Sequence, residues 1–162
     1  MSLRGYTLSM FALIASLALA YATAALGSFF TAPAIDGWYA ALVKPELNPP
    51  SWVFGPVWSL LYAFMAISAW RVWRLRHKDS CARIALFIYA GHLVLNAFWS
   101  VAFFGLQNLS LAFGVILALL SLIAVLIVLF YRVDKLAGIL FLPYLAWVSF
   151  ATYLNLSIML LN

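Results

Sequence analysis

Three groups of aromatic and amide side chains recur at helical spacing in this sequence. Phe54, Trp58, Tyr62 and Met65 share one face of an apolar segment, and His92, Asn96, Trp99 and Phe103 share one face of a second. Tyr144, Trp147, Ala151 and Asn155 do the same on a third. A fourth group precedes the first: Trp38-Tyr39, Lys44-Pro45 and Pro49-Pro50. Indoles and amides in this pattern suit recognition of a flat apolar molecule, with rings packed on its faces and a few polar groups fixing an edge. Covalent chemistry is poorly served. The sequence has no nucleophile–base–acid set, no phosphate-binding glycine loop, and no His, Cys and carboxylate cluster at metal-ligand spacing, so no metal site is expected. His92 alone could reach a haem iron, but a lone histidine on a polar helix face is more often a hydrogen-bond partner.

The elements that must carry these residues are membrane helices. Of 162 residues, 68% are hydrophobic and 8% charged, against about 25% charged in a soluble domain. A span needs roughly 20 apolar residues. Five spans, at about 6–27, 51–70, 84–104, 110–131 and 136–158, use up the chain and predict a single all-α transmembrane domain. The N-terminal apolar run has no convincing cleavage site and is read as a span. The single Cys81 excludes an internal disulfide. Residues 28–50 are expected to form a long lid loop, with Asp36 capping a short helix that runs to Val43 and ends at Lys44-Pro45. Pro143 is expected to bend the fifth span or free a carbonyl within it. Ala12, Ser16, Ala20 and Ala24 form a small-residue ridge suited to internal helix packing, and less so to a homodimer face.

The net charge of +5 does not point to nucleic acid. With alternating spans, Arg4, Arg71, Arg74, Arg76, Lys78, Arg83, Arg132 and Lys135 fall on the side of the N-terminus, and only Lys44 lies opposite. This is the positive-inside bias, placing the N-terminus in the cytoplasm and the C-terminus across the membrane. All four acidic residues, Asp36, Glu46, Asp79 and Asp134, are expected in loops. Proton-coupled carriers keep ionisable groups within the bilayer, so uphill transport is disfavoured and any movement of a ligand should be downhill.

Depth decides what the aromatic faces are for. Trp58 falls about 10 Å below the lid-side end of its span and Asn96 about 12 Å below its own, with Tyr144 and Trp147 at similar or greater depth. These positions are too deep for an interface belt. Spacing alone suits a packed, hydrogen-bonded core at least as well as a cavity. The proline-rich connection, Ala151 among bulkier neighbours and Pro143 favour a cavity for a flat apolar ligand.

Three stretches then carry a resemblance: WYAALVKPELNPPSWVFGPVWSLLY from Trp38 to Tyr62, LNAFW from Leu95 to Trp99, and FLPYLAWVSFATYLN from Phe141 to Asn155. Together, and in this order over nearly the whole chain, they resemble the TspO/MBR family of translocator and tryptophan-rich sensory proteins. The resemblance implies a five-helix receptor whose pocket is capped by the first loop. It implies binding of porphyrins such as protoporphyrin IX or haem-pathway tetrapyrroles, of sterols in some members, and of benzodiazepine-type ligands. No cofactor is required, and homodimers are common in bacterial members. Trp38 and Trp58 match tryptophans tied to porphyrin binding and to its light- and oxygen-dependent breakdown, so a degradative enzyme and a passive transporter are alternatives. Tyr39, Asn96, Trp99, Trp147, Ala151 and Asn155 match pocket positions, while Lys44 and Pro45 match the motif that fastens the lid. Tyr62, His92 and Tyr144 complete the candidate ligand-binding set from the helical faces. His92 stands where relatives usually carry Gln, Glu46-Leu47 where some carry aromatics, and the C-terminal sterol motif of animal members is incomplete. A loose match to that motif at Val128, Tyr131 and Lys135 is weak. Helical spans suit a bacterial plasma or inner membrane, although some relatives reside in outer membranes.

Overall fold

The computed structural model describes residues 3–162, with side chains from Tyr6 onward, so Arg4 of the basic set lies outside the described side chains. Six helices build five spans. They are α1 (Leu3–Ala34), α2 (Ser51–Trp73), α3 (Ser80–Ser100), α4 (Leu109–Val133), α5 (Lys135–Ile139) and α6 (Leu142–Leu161). A π-helical turn, Ile35–Tyr39, continues α1, and another, Val101–Gly105, continues α3. Five stretches are long and apolar enough to cross a membrane, and no strand occurs among the described residues. The all-α, five-span architecture is the one expected.

The lid differs from expectation. Helix persists through Ala41, so residues 28–35 are not loop, the short helix expected from Asp36 to Val43 is the end of a continuous one, and only residues 42–50 lack helical structure. Pro33 lies inside α1 without ending it. It forfeits one backbone hydrogen bond, and the turn that follows widens to π geometry. Asp36 sits in that turn and caps nothing. The first span is 34 residues, Tyr6–Tyr39, or roughly 50 Å at 1.5 Å per residue. That exceeds a hydrocarbon core of about 30 Å, so its last turns stand above the apolar layer.

The small-residue ridge packs internally. Ala20 is fully buried, and the Ser16 hydroxyl donates to the Ala66 carbonyl of α2 at 2.8 Å. Close approach is what small side chains permit when helices meet without a hydrophobic driving force. Farther down, Trp70 Nε1 donates to the Ser9 carbonyl at 2.8 Å. The half of the bundle nearest the basic loops is solid. Met65, Val72, Ala85, Ile123, Phe130 and Phe141 fill it from α2, α3, α4 and the turn between α5 and α6, with almost no exposure.

The turns are short because side chains satisfy the helix ends. Asp79 accepts from Cys81 N to cap α3, and Asn108 accepts from Leu111 N to cap α4. Gln107 takes a left-handed φ of 52°, which lets the chain reverse after the second π turn. The fifth span is broken where a single bent helix was expected. Phe141 N bonds back to Gly138 O at 3.1 Å, and α6 restarts with Pro143 in its first turn. Pro143 has no N–H for the carbonyl four residues earlier, so a tighter turn replaces the missing bond.

Asp134 governs that corner. Its carboxylate caps α5 through Ala137 N and takes both Arg71 nitrogens, Nε at 3.0 Å and Nη2 at 2.8 Å. Partial burial pushes its pKa up, but the Arg71 hydrogen bonds and charge and two backbone amides outweigh this and hold it below the usual carboxylate value. Arg74 and Arg76 lie over Trp70 and Trp73, at 5.0 and 3.4 Å from the ring centroids, so the basic end carries an aromatic belt.

Two outcomes follow. A depressed carboxylate contributes stability above its unfolded pKa and loses it as pH falls through the folded one. Thermal stability in detergent should therefore drop as the pH is lowered through the carboxylate range. Asp134→Asn, which keeps the cap, should flatten that drop and cost about 0.5–1 kcal/mol at neutral pH. At Gly138, a β-carbon would sit 2.6–2.8 Å from Tyr131 backbone and Cβ atoms. Gly138→Ala should destabilise by about 1–3 kcal/mol, whereas Gly91→Ala, which meets open space, should not lower the melting temperature.

Candidate ligand-binding cavity

The other half of the bundle is hollow. A partly open cavity of about 440 Å³ lies between α1, α2, α3 and α6, within the range of small-molecule sites. The α2 wall is Phe54, Trp58 and Tyr62, and the α6 wall is Trp147, Ala151 and Asn155. From α3 and its π turn come Asn96, Trp99, Phe103 and Phe104. α1 supplies a wall of small residues, Ala24, Gly27 and Thr31, topped by Ile35 and Tyr39.

Ring contacts and hydrogen bonds hold this shape. Trp58 lies 5.7 Å from Tyr62 and 6.1 Å from Tyr144, and Phe54 meets Trp147 edge-on at 5.8 Å. Trp99 packs on Phe103 at 5.2 Å and donates through Nε1 to Asn155 Oδ1 at 3.2 Å. Asn155 in turn donates to the Leu109 carbonyl at 3.1 Å, so the start of α4 fixes the tilt of an indole on α3. The Trp147 indole N–H is buried without a hydrogen-bond partner. The π turn after Ser100 lets successive rings, Phe103 and Phe104, both reach the cavity with centroids 4.8 Å apart.

Beneath the cavity runs a chain of buried polar side chains. Tyr62 Oη donates to Asn96 Oδ1 at 2.5 Å, Asn96 Nδ2 donates to Tyr144 Oη at 2.8 Å, and Tyr144 Oη lies 2.9 Å from His92 Nε2. Tyr62 and Asn96 line the cavity, whereas Tyr144 and His92 stand behind them, each 0% exposed. His92 Nε2 is thus engaged by a phenol and turned away from the hollow, which does not suit an iron ligand for a molecule bound there.

At the top, residues 42–50 are tied down at several points. The Lys44 ammonium donates to the Ala40 and Leu42 carbonyls at the end of the first helix and sits 4.8 Å from the Tyr39 ring centroid. Tyr39 Oη donates to Asn48 Oδ1 at 3.0 Å. Val43 exchanges two hydrogen bonds of 3.0 Å with the Asn162 amide.

Of the residues singled out from sequence, Tyr39, Trp58, Tyr62, Asn96, Trp99, Trp147, Ala151 and Asn155 border one cavity. Tyr144 and His92 support it from behind. Trp38, Lys44 and Pro45 do not border it. Trp38 instead packs edge-on against the wall residue Phe103, with ring centroids 5.6 Å apart. Phe54 and Phe103 stood on the expected faces without being singled out as binding residues, and the α1 wall and Phe104 were absent from the expected site. For α1 the signal was the small-residue ridge itself, which continues from Ala20 and Ala24 through Gly27 and Thr31 to Ile35.

No group of three or more His, Cys, Asp or Glu able to hold a metal occurs among the described residues. What remains is a shaped aromatic hollow with hydroxyl and amide groups, able to bind and orient a molecule.

The profile of the TspO/MBR family matches residues 14–161. The tryptophan-rich protein TspO of Archaeoglobus fulgidus is 42% identical over 151 residues, covering 93% of this chain and 96% of its own. The tryptophan-rich sensory protein of Cereibacter sphaeroides is 39% identical over 78% of each chain. The human translocator protein is 39% identical over 80% of each. A match spanning all five spans and the cavity walls settles the kinship: this integral membrane protein belongs to the TspO/MBR family.

Proposed function

We propose that the protein is a membrane receptor that takes a flat apolar ligand, a porphyrin foremost and a sterol second, into the hollow between α1, α2, α3 and α6. One observation carries this reading: Trp58, Trp99 and Trp147, from three different helices, border one cavity of about 440 Å³. Empty apolar space is costly in a packed interior, and rings on opposite walls return that cost when a planar molecule enters. A tetrapyrrole is large for such a hollow, so its charged edge projects toward the lid, where Lys44 provides the one cationic side chain on that side. The basic loops at the other end, with Arg71 to Lys78 and Arg132 to Lys135, face the cytoplasm by the positive-inside bias. Binding uses no resident cofactor and serves sensing or sequestration. A degradative role resting on both Trp38 and Trp58 fits less well, since Trp38 lies outside the wall.

Titration with protoporphyrin IX, followed by tryptophan quenching, tests the placement. Trp58→Ala should weaken binding by roughly thirtyfold, about 2 kcal/mol, while Trp38→Ala should stay within about threefold. Equal losses from both, or none from Trp58→Ala, would overturn it. Illumination of the complex in air should give no more new bilin-like absorbance than the free porphyrin does.

A further inference from the structure

The buried polar chain has a direction, and that direction decides what the cavity floor offers a ligand. Tyr62, Asn96, Tyr144 and His92 are joined in that order by contacts of 2.5, 2.8 and 2.9 Å. Two proton arrangements satisfy them. In the first, Tyr62 donates to the Asn96 carbonyl oxygen, the Asn96 amide donates to Tyr144, and Tyr144 donates to His92 Nε2. In the second, the Asn96 amide is turned over and every proton runs the other way. His92 Nε2 then donates to Tyr144, and Tyr62 keeps its own proton for the cavity.

The far side of the imidazole breaks the tie. A fully buried ring with no counter-charge carries one proton, since an unpaired charge in such a place is very costly. Nδ1 has no hydrogen-bond partner, and with Nε2 taken by Tyr144 it is the nitrogen left to the backbone carbonyl that acts on the ring, that of Tyr89, three residues back on α3. A proton on Nδ1 meets that oxygen favourably, whereas a lone pair there would oppose it. With the proton on Nδ1, Nε2 can only accept. Tyr144 must donate to it, Asn96 must donate to Tyr144, and the Asn96 oxygen is left to receive the Tyr62 proton.

We propose that His92 sets this polarity, so that Tyr62 presents the cavity with an acceptor and the floor favours ligands carrying an O–H or N–H donor over those carrying a carbonyl or carboxylate. The inference rests on the cavity being the binding site and adds a selection rule to it. For a porphyrin, the carboxylate edge is turned away from Tyr62 and toward the lid. For a sterol, the hydroxyl end enters first. His92 touches no ligand, and acts through Tyr144 and Asn96 as a positioning residue.

Two measurements test it, the first needing no ligand. Nitrogen NMR of histidine-labelled protein in a His77→Gln background should show His92 protonated at Nδ1 and bare at Nε2. A proton on Nε2 overturns the proposal. The second measurement compares a 3-hydroxysteroid, its 3-ketone and the parent hydrocarbon with no polar group. The hydroxyl form should bind the parent protein about tenfold tighter than the ketone, the worth of one neutral hydrogen bond. Tyr62→Phe and His92→Phe should each bring that ratio, taken within the same variant, close to one. A ratio near one in the parent protein overturns the proposal even if all three steroids bind. Failure of porphyrin and steroids alike to bind would instead remove the receptor reading, and the NMR result would still judge the polarity of the chain. Should either variant lose hydrocarbon binding through misfolding, the tautomer and the parent ratio still decide.

Discussion

The constraint on which this architecture depends is that hydrocarbon offers no hydrogen bonds. An amide, phenol or imidazole placed at mid-membrane depth must find its partner inside the protein. Asn96, Tyr144 and His92 meet that demand by bonding to one another and to Tyr62. In doing so they fasten α2, α3 and α6 at one level. Asn155 performs the same service higher up, joining Trp99 on α3 to the first turn of α4. Apolar contacts alone would leave these helices free to slide, because lipid tails compete for the same surfaces. The polar cross-links give the bundle its register.

That register explains how one bundle can be solid at one end and open at the other. Below the cross-links, small residues of α1 to α3 and branched residues of α4 close the interior. Above them, rings that meet edge-on or tilted hold the helices apart instead of filling the space between them. The lid is held at this end by hydrogen bonds to helix ends, to Tyr39 through Asn48, and to Asn162. Segments secured mainly by solvent-accessible hydrogen bonds open at lower free-energy cost than packed cores. A closure built this way admits a bulky guest without disturbing the half that keeps the helices together.

Much of this was legible in the sequence, for identifiable reasons. The helices around Ser51–Trp73, Ser80–Ser100 and Leu109–Val133 announce themselves by long apolar runs between charged turns. The faces bearing Trp58, Asn96 and Trp147 follow from helical spacing, and the structure brings them to one cavity. What was hidden depended on continuity. Thr31, Pro33 and Asp36 look like loop chemistry, yet the cost of one proline inside a helix is smaller than the cost of unwinding its neighbours. Trp38 and Tyr39 were expected on a short helix within residues 28–50, but its winding relative to the first span was not legible, and Tyr39 lines the cavity while Trp38 packs on Phe103. The α1 wall was missed for the opposite reason: Gly27 and Thr31 contribute by being small, which single residues do not advertise.

The two π turns have a further meaning. They pack against each other at the rim of the cavity, Tyr39 on one lying 6.2 Å from Phe103 and 5.7 Å from Phe104 on the other. Each is an over-wide turn set into otherwise regular helix. Loss of a single residue from either would restore ordinary winding there and leave the flanking helix facing as it does, because the wide turn absorbs one extra residue, so the change falls on the rings at the rim. The mouth of this protein is thus written partly in chain length. Insertions and deletions in these two segments can re-face the opening at one stroke, where point substitutions could change it only ring by ring.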